Sequence, residues 1–356
     1  MYDVTAIGEL LIDFAARDTD AAGYSTMKAN PGGAPGNFLA ALSKYGLRTA
    51  FLGKVGTDAF GGLLINTLKE AGIETKGIRQ DSSVLTTLAF VTFDAGGDRS
   101  FSFARKPGAD TQLSFEELDL EIIDQAKVFH FGTLSLTDEP VRTATKRAVE
   151  YARKKGKWIT FDPNLRLPLW NTPDEAREQI LWGLSQADVV KISDEEAEFL
   201  WGITDEEKAA EKLQKEFGVK LSMVTMGPRG AYLSNEKAAA RAACPRVTPV
   251  DTTGAGDIFG GSAVAWLLKS GKAPEELDEK ELAAKGAFAS TAARPHPQRP
   301  ACPQKCLEGS PVSHRRRRSL KSSGDQKPYK RRGAVRTDSS AWSSVHFFPA
   351  WRPGPG

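Results

Sequence analysis

The sequence has few cysteines, few histidines and no long apolar run. Three cysteines in 356 residues are too few for a disulfide scaffold. Four histidines argue against a metal centre built from histidine ligands. No stretch approaches the roughly 18 consecutive apolar residues that a membrane span needs, and the first residues lack the basic and apolar regions of a secretory signal. These absences predict a cytoplasmic protein without membrane contact.

Basic charge is concentrated in the last part of the chain. The formal net charge is +3, with 48 Lys and Arg against 45 Asp and Glu. Residues 294–356 hold 14 of these basic residues, 3 of the acidic ones and nine of the 20 prolines, so residues 1–293 are acidic overall. The composition predicts a folded domain over 1–293. It predicts a disordered, basic tail rich in Pro, Ser and Arg over 294–356.

Short apolar runs alternate with amphipathic helical stretches across the first 293 residues. This alternation is typical of an α/β fold, in which helices cover both faces of a mostly parallel sheet. The predicted strands are Val4–Ile7, Ala50–Leu52, Val128–Phe131, Trp158–Phe161, Val189–Ile192 and Met223–Thr225. The predicted helices are Asn37–Tyr45, Phe60–Ala71, Glu139–Lys155, Asp194–Trp201, Glu206–Phe217 and Ile258–Leu268.

One segment interrupts this alternation. Thr86–Phe93 and Arg99–Phe103 both have the composition of strands, and they flank the turn-like segment Asp94–Asp98. We expect a β-hairpin here that lies off the main sheet as a lid.

The most informative motif is a loop of small residues, Asp251-Thr252-Thr253-Gly254-Ala255-Gly256-Asp257, that leads into a predicted helix. Such a loop turns backbone N–H groups toward one point, where the helix dipole also favours negative charge. The carboxylate of Asp257 is suited to accept a proton from a hydroxyl that attacks a phosphoryl group. A tight glycine turn capped by Asp257 is the structural alternative. A P-loop motif is absent from the sequence.

A second glycine-rich motif, Gly32-Gly33-Ala34-Pro35-Gly36-Asn37, also enters a helix. Gly32 and Gly33 allow a ligand to contact the backbone, and Asn37 offers both a donor and an acceptor. Asp13, which follows the first strand, is expected at the same edge of the sheet. An Asp and an Asn suit the neighbouring hydroxyls of a sugar, whereas a turn with an Asn cap is the structural alternative.

Charged residues follow several of the predicted strands. Arg105 and Arg166 are candidates to bind an anionic group, with surface salt bridges as the alternative. Lys191 lies near the end of a buried strand. Glu196 lies in the first turn of the next helix, where its carboxylate would hold a magnesium-bound water or lie on a solvated face.

Together these motifs resemble the PfkB, or ribokinase-like, family of carbohydrate kinases over residues 3–293. Lys54-Val55-Gly56-Thr57-Asp58-Ala59-Phe60-Gly61 is a third matching block. Two further segments resemble fructokinases in particular, namely Arg99–Asp110 and Asp162–Trp170. The resemblance implies a ribokinase-like three-layer α/β/α fold with a small β lid, formed by residues 12–30 and 84–107.

The resemblance also implies a role for each candidate residue. Asp257 would be the general base, and the backbone of Gly254, Ala255 and Gly256 would form the anion hole. The sugar would be bound by Asp13, Gly32, Gly33, Asn37, Arg105 and Arg166. ATP and its Mg²⁺, the latter through water on Glu196, would be bound by Lys191, Glu196, Thr225, Gly227 and Gly230. A monovalent cation, K⁺ in many members, would lie near Asp251 and Thr253.

The implied reaction is transfer of the γ-phosphoryl group of ATP to fructose, giving fructose 6-phosphate. The same reaction on 2-keto-3-deoxygluconate, ribose or a nucleoside is the alternative within the family. A chain that binds sugar or nucleotide without turnover is the alternative from another class. Many relatives are dimers, so a homodimer is one candidate assembly.

The family pattern stops after Ala293, where the chain continues Arg294-Pro295-His296-Pro297-Gln298-Arg299-Pro300. Our leading hypothesis is a frameshift near codon 293, since charge and Pro, His and Cys content all change together. A genuine basic tail that binds nucleic acid or an acidic partner is the alternative. Without the family's final segment, we expect lower stability and weaker ATP binding.

Overall fold

Parallel strands form the centre of the fold. The computed structural model describes residues 1–22, 24–93, 99–245 and 254–293. The predicted turn at 94–98, the candidate cation ligands Asp251 and Thr253, and the tail at 294–356 lie outside the described residues. Within the described part of the chain, no helix is both long and apolar enough to cross a bilayer.

The secondary structure follows the alternation that the sequence predicts. The strands are β1 (Val4–Ile7), β2 (Leu11–Thr19), β3 (Ser25–Gly32), β4 (Thr49–Gly56), β5 (Ile73–Glu74), β6 (Ile78–Asp81), β7 (Thr87–Phe93), β8 (Arg99–Ala104), β9 (Val128–Gly132), β10 (Trp158–Asp162), β11 (Val189–Ser193), β12 (Leu221–Thr225), β13 (Ala231–Ser234) and β14 (Ala239–Ala242). The helices are α1 (Ala34–Lys44), α2 (Ala59–Glu70), α3 (Leu120–Asp124), α4 (Val141–Lys154), α5 (Pro173–Gln186), α6 (Asp194–Trp201), α7 (Glu206–Phe217), α8 (Ala255–Ser270) and α9 (Glu279–Ala292).

The central sheet has the strand order β14-β13-β12-β11-β10-β9-β1-β4-β5, and β6 also pairs with β4. All pairs are parallel except those of β13 with β12 and with β14. Neighbouring strand residues belong to different cores, because successive side chains point to opposite faces. Val128 belongs to the core that contains residues of α1, α2 and α8, whereas Phe129 belongs to the core that contains residues of α4, α5 and α7. The expected three-layer α/β/α arrangement is confirmed.

A second, four-stranded sheet has the order β3-β2-β7-β8. Its β7 and β8 form the antiparallel hairpin that the sequence predicts, and β2 joins β7 in parallel. We call these four strands the lid sheet. Its first pair, β2 and β3, starts at Leu11 and ends at Gly32, close to the lid segment 12–30 that the resemblance implies.

Helices α1 and α8 approach closely because α8 carries glycines at the contact. A Cβ on Gly261 would lie 2.5 Å from the carbonyl oxygen of Phe38 and 2.9 Å from the Cβ of Ala41. The ring of Phe38 in turn stacks on His130 of β9, with ring centroids 3.7 Å apart. Burial lowers the pKa of His130 to about 3, so this ring is neutral and packs like an apolar aromatic ring between β9 and α1.

Lys285 of α9 is a fully buried lysine. Its Nζ has no hydrogen-bond partner among the described residues. Burial lowers the pKa of Lys285 to about 7, and no charged neighbour among the described residues adds to this shift. A lysine that is protonated in the unfolded chain but loses its proton on folding reduces stability below its unfolded pKa.

The contact between α1 and α8 gives a first prediction. Gly261→Ala should lower the free energy of unfolding by about 1–3 kcal/mol, because the new methyl group overlaps the backbone of α1. Gly62→Ala is the matched control, since a Cβ there meets nothing within 4 Å. That helical substitution should instead stabilise by about 0.5–1 kcal/mol. Urea unfolding of both variants measures the difference, and equal values would contradict the close approach.

Lys285 gives a second prediction. Lys285→Met should raise the Tm at pH 7 by at least ~3 °C, because it removes the cost of deprotonating a buried lysine. In the native protein this cost falls as pH rises from about 7 toward the ordinary lysine value, so the gain should shrink by pH 10. Lys280→Met, at an exposed position of the same helix, is the control. A gain that stays constant with pH would contradict the burial of an unpaired lysine.

Candidate active site

The carboxyl ends of the central strands and the first turns of α1 and α8 meet around Asp257. This residue lies in the first turn of α8, after Gly254 with a left-handed backbone (φ 65°). The carboxylate is almost fully buried. Its Oδ2 accepts a hydrogen bond from Nδ2 of Asn37 at 2.8 Å, and its Oδ1 accepts one from Nδ2 of Asn164 at 3.0 Å. Two neutral amides therefore fix the orientation of this carboxylate.

Lys191 brings a buried positive charge to the start of α8. Its Nζ would lie 2.9 Å from a Cβ on Gly256, so the glycine leaves room for the ammonium group. The same Nζ lies 3.1 Å from both carboxylate oxygens of Asp162. Burial acts to lower the pKa of Lys191, but Asp162, Glu196 and Asp257 together raise it. The lysine is therefore charged at neutral pH, beside the first N–H groups of α8.

The same group of buried charges also raises the pKa of Asp162. Burial raises its pKa well above the usual range, and the charges of Glu196 and Asp257 add to that effect. Lys191 opposes it without cancelling it. A cation that binds next to such a buried carboxylate would stabilise its charged form.

Glu196 lies in the first turn of α6 and has two backbone partners. Its Oε2 accepts a hydrogen bond from the N–H of Ser193 at 2.8 Å, which completes a capping box, and its Oε1 accepts one from Leu165 at 2.9 Å. The side chain is buried, so the alternative of a solvated helix face is wrong. Among the described residues, no three His, Cys, Asp or Glu side chains form a metal cage. Magnesium that keeps its waters and contacts phosphate needs only one or two nearby carboxylates, and Glu196 and Asp162 fit that requirement.

The predicted sugar side forms where the lid sheet meets α1. Asp13 on β2 lies opposite Asn30 on β3, and its carboxylate lies against Gly32, so that a Cβ there would overlap Oδ2 of Asp13. Gly33 caps α1 with φ 122°, and a Cβ on it would overlap the carbonyl of Glu9. Asp13, Gly32 and Gly33 are therefore brought together, next to the helix that carries Asn37.

Arg105 forms a buried ion pair, so the alternative of a surface salt bridge is wrong for this residue. Its side chain is buried, with Nε and Nη2 both 2.8 Å from Oδ2 of Asp110. Nη1 donates to Thr137, and Nη2 also donates to the carbonyl of Leu134. The geometry favours a structural role behind the lid sheet over direct contact with a sugar. This correction follows from desolvation, because a buried guanidinium must satisfy its N–H groups within the protein.

Arg166 is exposed, and its Nη1 donates to the carbonyl of Leu165 at 3.0 Å. The remaining candidates lie at the end of β12 and just after it. Thr225, the last residue of β12, is paired in register with Ser193 of β11. Gly227 has φ 51°, and Gly230 has φ 100° with the carbonyl of Ala242 where a Cβ would be. Both glycines are thus required by the turn itself, at the edge of the sheet where Lys191 and Glu196 also lie.

Asn164 and Asn30 are among the residues of this site that carry no role in the sequence analysis. Asn164 lies within the segment Asp162–Trp170. Its contact with Asp257 joins residues 93 positions apart, so no local sequence pattern predicts it. Asn30 is buried opposite Asp13, and its Oδ1 has no partner in the described part of the chain. A polar residue at a buried strand position was the available signal for Asn30.

Comparison with known proteins agrees with this geometry. Residues 1–302 match the pfkB family of carbohydrate kinases. The chain is 42% identical to fructokinase-1 of Zea mays over 294 residues, which is 81% of this chain and 89% of that protein. It is 43% identical to probable fructokinase-4 of Arabidopsis thaliana over 272 residues, covering 74% and 82%.

Solved structures give the same result for the fold. A fructokinase from Xylella fastidiosa with bound ATP superposes with a TM-score of 0.72 at 28% identity, covering 83% of this chain and 92% of that one. A fructokinase from Vibrio cholerae O395, in a form with fructose, ADP and calcium ion bound, gives 0.69 at 30% identity, covering 82% and 90%. The family match, the curated relatives and the fold agree, and the chain belongs to the pfkB family of carbohydrate kinases.

Proposed function

We propose that this chain is an ATP-dependent fructokinase that forms fructose 6-phosphate and ADP. The observation that carries the proposal is the buried carboxylate of Asp257, held by two amides at the N-terminus of α8. The fructokinases among its relatives support the choice of sugar. A carboxylate held in this way is suited to remove a proton from an attacking hydroxyl.

Asp257 acts as the general base. It accepts the proton of the sugar hydroxyl as that oxygen bonds to the γ-phosphorus of ATP, and the bond from phosphorus to the bridging oxygen of ADP breaks. Each oxygen of Asp257 accepts one amide hydrogen bond. Because a carboxylate oxygen has two acceptor sites, each oxygen retains capacity for the sugar hydroxyl.

The start of α8 stabilises the phosphoryl group during transfer. The first N–H groups of a helix have no partner within it, so those of Gly254, Ala255 and Gly256 are available to an anion. The ammonium of Lys191 lies beside Gly256 and adds a fixed positive charge. Mg²⁺, when bound through water near Glu196 and Asp162, would supply charge neutralisation on the nucleotide phosphates.

The lid sheet holds the sugar and excludes water. Asp13 and the backbone at Gly32 and Gly33 form the sugar side next to Asn37, and closure of this sheet prevents transfer of the phosphoryl group to water. The exposed guanidinium of Arg166 keeps an acidic sugar such as 2-keto-3-deoxygluconate as a second candidate. A monovalent cation near Asp251 and Thr253, a homodimer and a cytoplasmic location remain parts of the proposal.

Loss of the carboxylate gives a direct test. Asp257→Asn should lower kcat by at least ~100-fold, because the amide cannot accept the proton. ADP release with fructose, ATP, Mg²⁺ and K⁺ measures this rate. Asp174→Asn, at an exposed side chain (92% accessible), is the matched control and should keep the full rate.

The same assay separates the alternatives. Fructose should give a kcat/KM at least ~10-fold above those for ribose, 2-keto-3-deoxygluconate and a nucleoside. A higher value for another substrate would replace fructose in the proposal. Folded native protein that binds fructose and ATP in calorimetry without turnover would instead support the alternative of an inactive binding protein.

The sugar side gives a separate prediction. Gly32→Ala should raise the KM for fructose by about 10-fold, because the new Cβ displaces the carboxylate of Asp13 and weakens one charge-assisted hydrogen bond. The KM for ATP should stay within about twofold, since the nucleotide side is untouched. Gly62→Ala is the control for a glycine without close neighbours. Equal increases in both KM values would argue against a sugar role for Asp13.

A further inference from the structure

Asn164 combines an unusual backbone with a contact to the base. Among the described residues, it is the one non-glycine residue with a left-handed backbone, at φ 49°. This conformation costs an L-residue about 1–2 kcal/mol, although asparagine tolerates it better than most. Such strain persists only where the surrounding structure holds it, and it is frequent at functional sites.

The loop around Asn164 is held from two elements. The backbone N–H and the Oγ1 of Thr133, just after β9, both donate to the carbonyl of Pro163, at 3.2 and 2.5 Å. On the other side, the N–H of Leu165 donates to Oε1 of Glu196 at 2.9 Å. The residues that flank Asn164 are therefore fixed to β9 and to α6, and the strained backbone places its amide toward α8.

The amide of Asn164 completes the support of Asp257. It binds Oδ1 while Asn37 binds Oδ2, so the plane of the carboxylate is defined by one donor at each oxygen. The terminal torsion of an aspartate is broad, so a carboxylate with one donor removed can rotate. Asn37 stands on the predicted sugar side, whereas Asn164 comes from the strand-end loop that Glu196 anchors.

We propose that Asn164 is a positioning residue that holds Asp257 in the orientation in which it accepts the sugar proton. The loop 163–165 also joins this base to Glu196 on the nucleotide side through the Leu165 N–H. The inference rests on the proposed kinase function and deepens it. It assigns Asn164 no contact with either substrate, so its loss should affect the chemical step and leave ground-state binding intact.

Two substitutions separate the effect of losing the side-chain amide from the effect of backbone strain. Asn164→Gly removes the amide but accepts φ 49° without strain, whereas Asn164→Ala removes the amide and adds strain. Both variants should lower kcat by about 10–100-fold, since misplacement of a reacting group by about 1 Å has this effect. The KM values for fructose and ATP should stay within about threefold. Asn171→Gly is the control, because that exposed asparagine bonds only to Glu175 among the described residues.

A purely structural role predicts a different pattern. In that case Asn164→Gly would keep a kcat within twofold of the native value and only Asn164→Ala would be impaired, which would overturn the proposal. A double-mutant cycle adds a second readout. In the Asp257→Asn background, Asn164→Gly should change the residual rate by less than twofold, because the group it positions is gone. An undiminished loss in that background would also overturn the proposal.

The controls distinguish this inference from the proposed function. If the native chain has no kinase turnover, or if Asp257→Asn keeps the full rate, the proposed function fails before any variant of Asn164 is compared. If Asp257→Asn is inactive while Asn164→Gly keeps the native kcat, only the positioning role fails. Thermal unfolding of each variant shows whether a lost rate reflects a lost fold.

Discussion

The close contact between α1 and α8 is the constraint on which the site depends. Asn37 and Asp257 are 220 residues apart in sequence, and their side chains meet because Gly261 lets the two helices approach. The neutral ring of His130 on β9 stacks against Phe38 and thereby sets the distance between α1 and the sheet. Apolar packing between the two helices thus sets the distance between the side chains of Asn37 and Asp257.

The site around Lys191 carries more negative than positive charge. Asp162, Glu196 and Asp257 bring three carboxylates near one ammonium group, and burial makes the excess of negative charge costly. This cost raises the pKa of Asp162. The Mg²⁺ that is proposed to bind with the nucleotide would offset this excess of negative charge.

The sequence predicted the parts of this molecule that local signals encode. Helices α6 and α7 were predicted with the observed bounds, because Ser193 and Asp205 cap their starts and glycines end them. Helix α5 was missed although Thr172 and Pro173 mark its start. The bonding of Arg105 and the role of Asn164 depend on partners that are distant in sequence or set by burial, and no local pattern carries that information.

Two of the buried aspartates of this region, Asp110 and Asp257, have different kinds of hydrogen-bond donor. Asp110 receives the guanidinium of Arg105, a charged partner that stabilises its negative charge and makes it structural. Among the described residues, the side chains that donate to Asp257 are the neutral amides of Asn37 and Asn164. A cationic partner in hydrogen-bond contact would favour the charged carboxylate more strongly and weaken it as a base. Amides orient the carboxylate without adding a charge, and this difference fits the presence of asparagines, rather than arginines, around the group that is proposed to take the proton.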